Sequence, residues 1–253
     1  MSLHRTSRKY HKWLMLFVGV QFVIWSISGA YMVILDIDYI HGDSLVVKKP
    51  VSLKSDSINY ALTQLYIDYP QAENIELTTL LGKIVYRFST NQILDSGTDK
   101  VEYLLSADNG ELLSPVTEAY AVKIAKSQYE NAHVAIRQVR LITENPPFEL
   151  SARHLPVWRI DFDDFASPSF YISVQTGKLV TKRHSFWRLF DWMFSFHVMD
   201  FIEEDASNKL LLVFACLSLL ASIFGIILTY FRLFNQRGNT GKNKHKQKVR
   251  KVK

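Results

Sequence analysis

One cysteine, Cys216, stands in 253 residues. A lone thiol cannot close an internal disulfide, so a disulfide framework is excluded, and CxxC zinc and iron–sulfur sites with it. Glycine and proline are scarce, at 10 and 7, which excludes collagen-like and linker-rich architectures. Chemistry-bearing motifs are missing as well. There is no GxSxG, HExxH, GxGxxG or phosphate-cradling loop, so no hydrolytic or nucleotide-binding constellation stands out. The most informative absence is of acid at the two ends. All 24 Asp and Glu lie between Asp36 and Asp205, a stretch with 16 Lys and Arg and hence a net charge of −8. The rest of the chain holds 14 basic residues and no acid, a segregation hidden by the overall +6. A soluble basic protein has no reason to sort its charges this way, whereas a membrane protein does.

Two uncharged stretches explain the sorting. Residues 13–35 and 210–231 carry no formal charge, and as helices each reaches roughly 30–35 Å, enough to cross the hydrocarbon layer. The first is longer than the roughly 7–15-residue apolar run of a signal peptide. Ser28-Gly29-Ala30 is also a poor cleavage site, so the segment reads as an uncleaved anchor. Residues 1–12 and 232–253 are basic, and positive flanks stay in the cytoplasm. Both termini are therefore expected inside, and the acidic middle outside. Tyr10, Trp13, Tyr31 and Tyr39 mark the interfaces of the first span, Tyr230 and Phe231 those of the second. The terminal KNKHKQKVRKVK invites a nucleic-acid reading. Beside a bilayer it better suits anionic headgroups, so the expected partner is lipid and not nucleic acid, and the tail is expected to be disordered.

Between the spans, residues 36–185 read as an α+β domain built from two repeats, about 52–113 and 117–181. The first opens with a helix over 56–69, started by Ser55/Asp56 and stopped by Pro70, and continues in strand-like runs at 75–81, 83–89 and 101–107. The second opens with a helix over 117–130 and continues at 136–143, 157–162 and 170–174. Leu104-Leu105-Ser106-Ala107-Asp108-Asn109-Gly110 aligns with Tyr171-Ile172-Ser173-Val174-Gln175-Thr176-Gly177, and each glycine sits where a turn needs positive φ. A helix over an antiparallel sheet buries one face of each. Asp161, Asp163 and Asp164, in a strand and its turn, read as a solvated turn or as a weak cation site.

This repeat, with its terminal D/T-G-x-L/V turn, resembles the PepSY domain. The flanks are similar to PepSY-associated transmembrane proteins. Arg8-Lys9-Tyr10-His11-Lys12-Trp13-Leu14, followed by Trp25-Ser26-Ile27-Ser28-Gly29, resembles their first helix. Phe186-Trp187-Arg188-Leu189-Phe190-Asp191-Trp192 and Phe196-His197-Val198-Met199-Asp200-Phe201 resemble the segment before their last helix, and Gly225 occupies the place of a glycine within it.

The histidines carry what chemistry the sequence offers. His11 lies at the cytoplasmic mouth of the first span, His41 past its outer end, and His197 on an amphipathic interfacial segment, 186–202. On that segment Phe186, Phe190, Met193, His197 and Phe201 share one helical face. An imidazole among aromatic side chains needs partners for its donor and its acceptor, since each unpaired group costs roughly 1–3 kcal/mol. A backbone carbonyl, a carboxylate such as Asp200 or Asp36, or a haem iron all answer that need, and zinc lacks further ligands at short spacing. Candidate haem b ligands are therefore His197, His11 and His41. His11 and His41 are roughly 45 Å apart if on one helix and cannot share a ligand, whereas a homodimer would bring two His11 together. The resemblance implies haem binding through membrane histidines and ferric-iron reduction, in relatives that are larger and have more spans. Two functions follow as expectations. One is an accessory or haem-binding component of a membrane redox or transport complex, with ferric reductase-like electron transfer as its only candidate enzymatic role. The other is a membrane-anchored module that binds or restrains an envelope protease or another periplasmic partner.

Overall fold

The computed structural model describes residues 3–47, 58–94, 97–131, 133–200 and 208–250. They fall into two compact units. One is helical, Met1–Leu35 with Phe190–Lys253, and the other, Asp36–Leu189, mixes helices with two antiparallel sheets.

The helical unit contains α1 (Leu3–Ile34), the second half of α5 (Ser185–Val198) and α6 (Lys209–Arg250). The segments Arg5–Ile34 and Lys209–Phe234 are long and apolar enough to cross a membrane. Only 17% and 6% of their apolar stretches are buried within the chain, the reverse of a core helix in a soluble protein. Phe17, Phe22, Val23, Leu212, Leu219 and Ile226 all point outward, and such surfaces need lipid or another protein.

The two long helices run antiparallel. Tyr10 stacks on Phe224 with ring centroids 5.8 Å apart. At the other end Asn208 accepts from the Leu211 N–H at 2.9 Å while its side-chain amide donates to the Val198 carbonyl. On α1, Ser7, His11, Leu14, Val18, Gln21, Trp25 and Ser28 repeat at alternating steps of four and three. On α6, Leu211, Phe214, Ser218, Ala221, Gly225 and Leu228 do the same. This heptad spacing is the seam of a left-handed helix pair, and Ser7, Val18, Gln21, Ser28 and Ala221 are its buried members.

Two boundaries differ from the sequence reading. Helix α6 does not stop near 231 but continues to Arg250, in an extension that holds no proline to end it. Helix α5 ends at Val198 and Met199 takes a left-handed φ of 55°, a common helix stop. The expected end of that segment, 201–202, lies outside the described residues, as do 251–253.

In the α+β unit, β1 (Ala72–Leu80), β2 (Lys83–Leu94) and β3 (Gly97–Ser106) form a three-stranded antiparallel meander. A second sheet takes the order β4 (Ile136–Ile142), β5 (Val157–Phe162), β6 (Ser169–Ser173) and β7 (Leu179–Arg183). Each sheet follows a helix, α3 (Leu62–Asp68) and α4 (Glu118–Gln128) respectively. A one-turn helix, α2 (Ile37–Ile40), opens the unit, capped by the Asp36 carboxylate, which accepts from the Asp38 and Tyr39 N–H groups.

The start of α3 departs from expectation. Ser55 and Asp56 lie outside the described residues, and Asn59 and Tyr60 are not helical. Both of their N–H groups donate to the Ala107 carbonyl, at 3.1 and 3.0 Å, so the turn after β3 captures the first residues of the expected helix. The stop is as the sequence implies, at Tyr69 before Pro70.

Helix α4 starts at Thr117, whose hydroxyl accepts from the Tyr120 N–H. It presents Ala121, Ile124 and Ala125 to a core shared by both sheets: Val85 and Leu104 from the first, Ile160, Phe162, Phe170 and Ile172 from the second. The opposite face of the first sheet packs Ile84, Tyr86, Phe88 and Leu105 against Leu65 of α3.

The turns after β3 and β6 repeat one hydrogen-bond pattern. Gly110 N–H donates to Ser106 O at 3.0 Å, and Gly177 N–H to Ser173 O at 3.0 Å. Ser106 N–H donates to Glu111 O and Ser173 N–H to Lys178 O, both at 2.9 Å. Each serine hydroxyl accepts from the N–H two residues on. The aligned Ser and Gly therefore build the same turn twice, with φ of 72° at Gly110 and 61° at Gly177. A Cβ on Gly177 would also lie 3.1 Å from Leu80 and 3.2 Å from Ile124. Gly177→Ala is expected to cost more than the roughly 1–2 kcal/mol of a left-handed alanine. Gly82→Ala, with φ of 79° and nothing near its Cβ, is expected to cost the backbone term alone. Denaturation midpoints of the two variants check this, and equal losses would refute the crowding.

Candidate functional site

Two of the three candidate histidines occupy matching positions in the helical unit. His11 lies on the α1 seam with Nδ1 3.0 Å from the Ala221 carbonyl oxygen. A carbonyl only accepts, so Nδ1 carries the proton and Nε2 keeps its lone pair. His197, in the last turn of α5, has Nδ1 3.0 Å from Ser28 Oγ. That hydroxyl already gives its hydrogen to the Ile24 carbonyl at 2.8 Å, so it accepts from the imidazole and again Nε2 is left as the base. Trp25 Nε1–H donates to the His197 carbonyl at 2.7 Å, which holds the end of α5 against α1.

A glycine makes room for each ring. A Cβ on Gly225 would lie 3.1 Å from His11 Cε1, and one on Gly29 would lie 3.4 Å from His197 Cε1. Among the small residues of the spans, these two therefore seat imidazoles. Gly19 has nothing within 4 Å, and Ser26 and Ser222 are exposed. His11 and Ser28 are 17 positions apart on α1, about 25 Å along the axis. The unit thus holds two imidazoles near opposite ends of one helix pair, each fixed through Nδ1. An imidazole so held is oriented as a ligand through Nε2.

His41 is not built this way. It is exposed and closes α2 through its backbone N–H, which donates to Ile37 O. Of the partners weighed for His197, the serine was missed. Asp200 is exposed, and the backbone carbonyl serves His11 instead.

The α+β unit holds two further histidines of note. His184 is 2% exposed and its Nε2–H donates to Tyr39 O at 2.9 Å, while Nδ1 has no hydrogen-bond partner among the described residues. Burial pushes its pKa below the ordinary histidine value. It borders a 230 Å³ pocket with Tyr129 and Asp164. His154 accepts from Arg153 Nε–H at 3.2 Å, and burial together with the Arg153 charge lowers its pKa. It lines a half-open cleft of about 830 Å³. One wall of that cleft is the first sheet, with Glu76, Arg87 and Glu102. The other is the 153–156 loop with the turn around Lys178. Nothing in the sequence flagged it, because its residues come from distant strands and turns.

Asp161 departs from the solvated-turn reading. It is 3% exposed, and its carboxylate accepts from Arg159 Nε–H at 2.8 Å and from Ser169 Oγ–H at 2.5 Å. Among the described residues no three His, Cys, Asp or Glu side chains are grouped to hold a metal ion. Comparison with known proteins finds no matching family model, no matching curated sequence and no matching solved structure.

Proposed function

We propose that the chain is a two-pass inner-membrane protein of the PepSY kind. In this reading its helical unit binds haem b through His197 and His11, as an accessory component of a redox system that delivers electrons to ferric iron. Both termini are cytoplasmic and the α+β unit is periplasmic, as the basic flanks and the acid-free ends favour.

The observation that carries the proposal is the shared state of the two imidazoles: Nδ1–H bound to an oxygen, the ring seated against a glycine, and Nε2 with no hydrogen-bond partner among the described residues. The donor set fits haem, since an imidazole tied down through Nδ1 could hold the iron through Nε2. When bound, haem supplies one-electron transfer. The chain supplies the rest. Ala221 O and Ser28 Oγ fix the tautomer and the orientation of each ring. Phe194, exposed and one turn before His197 on α5, offers apolar surface on that side of the helix. One chain brings one histidine to each level, so a homodimer would complete both sites.

The binding-module reading would favour a bare apolar sheet face. Among the described strand residues Leu141 is the one large hydrophobic side chain that is exposed, so the redox reading is preferred. The deciding measurement is an absorption spectrum of the protein purified in mild detergent, oxidised and dithionite-reduced. A Soret band with a redox-sensitive α band is expected. A colourless protein from haem-replete cells would overturn the proposal.

A further inference from the structure

The cleft of the α+β unit bears a charge pattern unlike the rest of that unit. Asp36–Leu189 holds 19 acidic and 16 basic residues, yet the cleft is lined by Arg87, Lys100, Arg153 and Lys178 against two acids, Glu76 and Glu102. Arg87 is the most telling. On the strand face that carries Val85 into the core, the pattern switches at Arg87 from apolar to charged, opposite Glu76 on β1. Its side chain is 13% exposed. Its Nε–H donates to Thr176 O at 2.9 Å. Glu76, half exposed, stays 3.8 Å from Nη1, beyond a hydrogen bond. Among the described residues one of its five N–H donors is used in a hydrogen bond, and a largely desolvated guanidinium with free donors is a strong site for a planar oxyanion. Arg153 and Lys178 are exposed across the cleft, and among the described residues neither makes an ion pair.

The two glutamates narrow the ligand class. They repel a dense polyphosphate but accept hydrogen bonds from hydroxyl groups. The volume, about 830 Å³, lies in the range of small-molecule sites. We propose that this cleft binds a small hydroxycarboxylate anion, with carboxylates on Arg87, Arg153 and Lys178 and hydroxyl groups on Glu76 and Glu102. This goes beyond the haem reading and does not depend on it.

The test is calorimetric titration of the full chain in detergent at fixed ionic strength. The probes are citrate, tricarballylate (the same three carboxylates without the hydroxyl) and pyrophosphate. Citrate is expected to bind most tightly. Arg153→Gln and Lys178→Gln should each weaken it several-fold, and Arg87→Gln about tenfold or more, in line with loss of a charge-assisted pair. Because Arg87 also bonds the Thr176 turn, the two exposed variants decide the matter if Arg87→Gln misfolds. No citrate heat, pyrophosphate binding tighter than citrate, or affinity unchanged in the exposed variants would overturn the proposal.

Discussion

His197→Leu is expected to yield a folded protein that carries about half the haem of the parent per chain. Leucine keeps apolar bulk in the space beside Gly29 and removes the nitrogen that would hold the iron. His11→Leu should remove the other half, and the double variant should be colourless. Ser28→Ala tests the second link. Without the oxygen that accepts from Nδ1–H, the imidazole is no longer held to one tautomer. Loss of such a supporting partner typically weakens a bound metal or cofactor 10–100-fold. Gly29→Val places side-chain atoms where the His197 ring sits and should act like His197→Leu. His41→Ala, at an exposed cap, should change nothing. Pigment per chain, measured after purification, reads all of these. A double variant with the parent's pigment would sink the assignment of both ligands.

How much of this was legible from the residues differs between the two units. Charge-free stretches and one-sided basic flanks are long, redundant signals, and both apolar helices appear where those signals put them. The strand runs were also readable, since Val, Ile, Tyr and Phe cluster in β2, β5 and β6, and the Ser-x-x-x-Gly repeat turned out to build one turn twice. What failed was either competition or distance. The 58–61 segment reads as helix by local pattern, but the Ala107 carbonyl takes the Asn59 and Tyr60 donors. The fourth strand of the second sheet, β7, has no full counterpart in the first, where Leu112 makes only a single bridge to Leu105. The histidines were found, but not what holds them. Gly29 and Gly225 look like ordinary close-packing residues until the rings above them are seen. The heptad seam through Ser7, His11, Leu14, Val18, Gln21, Trp25 and Ser28 was available at steps of four and three, and it separates His11, on the seam, from His41, beyond the helix. The cleft was beyond reach, because no local pattern joins Glu76 to Lys178.

Glu149→Gln should destabilise the α+β unit by about 3–5 kcal/mol, the usual result of breaking one side of a buried ion pair. Glu149 is 5% exposed and accepts from Arg188 at 2.7 and 2.9 Å, with the Tyr171 hydroxyl also bonded to it and Arg159 4.0 Å away. Arg188 extends the network to Ser169, which bonds Asp161. The network therefore ties the first turns of α5 to the second sheet, beside Trp187, which stacks on Phe148 and lies under the Arg183 guanidinium at 4.0 Å. Glutamine leaves two guanidinium groups facing a neutral amide. Burial by itself would raise the carboxyl pKa values. For Glu149 the bonds from Arg188 and Tyr171 and the charges of Arg188 and Arg159 outweigh it. For Asp161 the bonds from Ser169 and Arg159 and nearby arginine charge do the same, so both sit below their ordinary values. The unfolded chain then takes up protons first as the solution is acidified. The stabilisation from these groups is complete above the ordinary carboxylate range, about pH 4–4.5, and is lost as pH falls through it towards the folded values. The gap between parent and Glu149→Gln midpoints should therefore be wide at pH 7 and shrink below pH 4. Arg188→Gln should lose nearly as much, and the double variant much less than the sum of the two. A loss under about 1 kcal/mol at pH 7, or strict additivity in the double variant, would show that the pair does not hold α5 to the sheet.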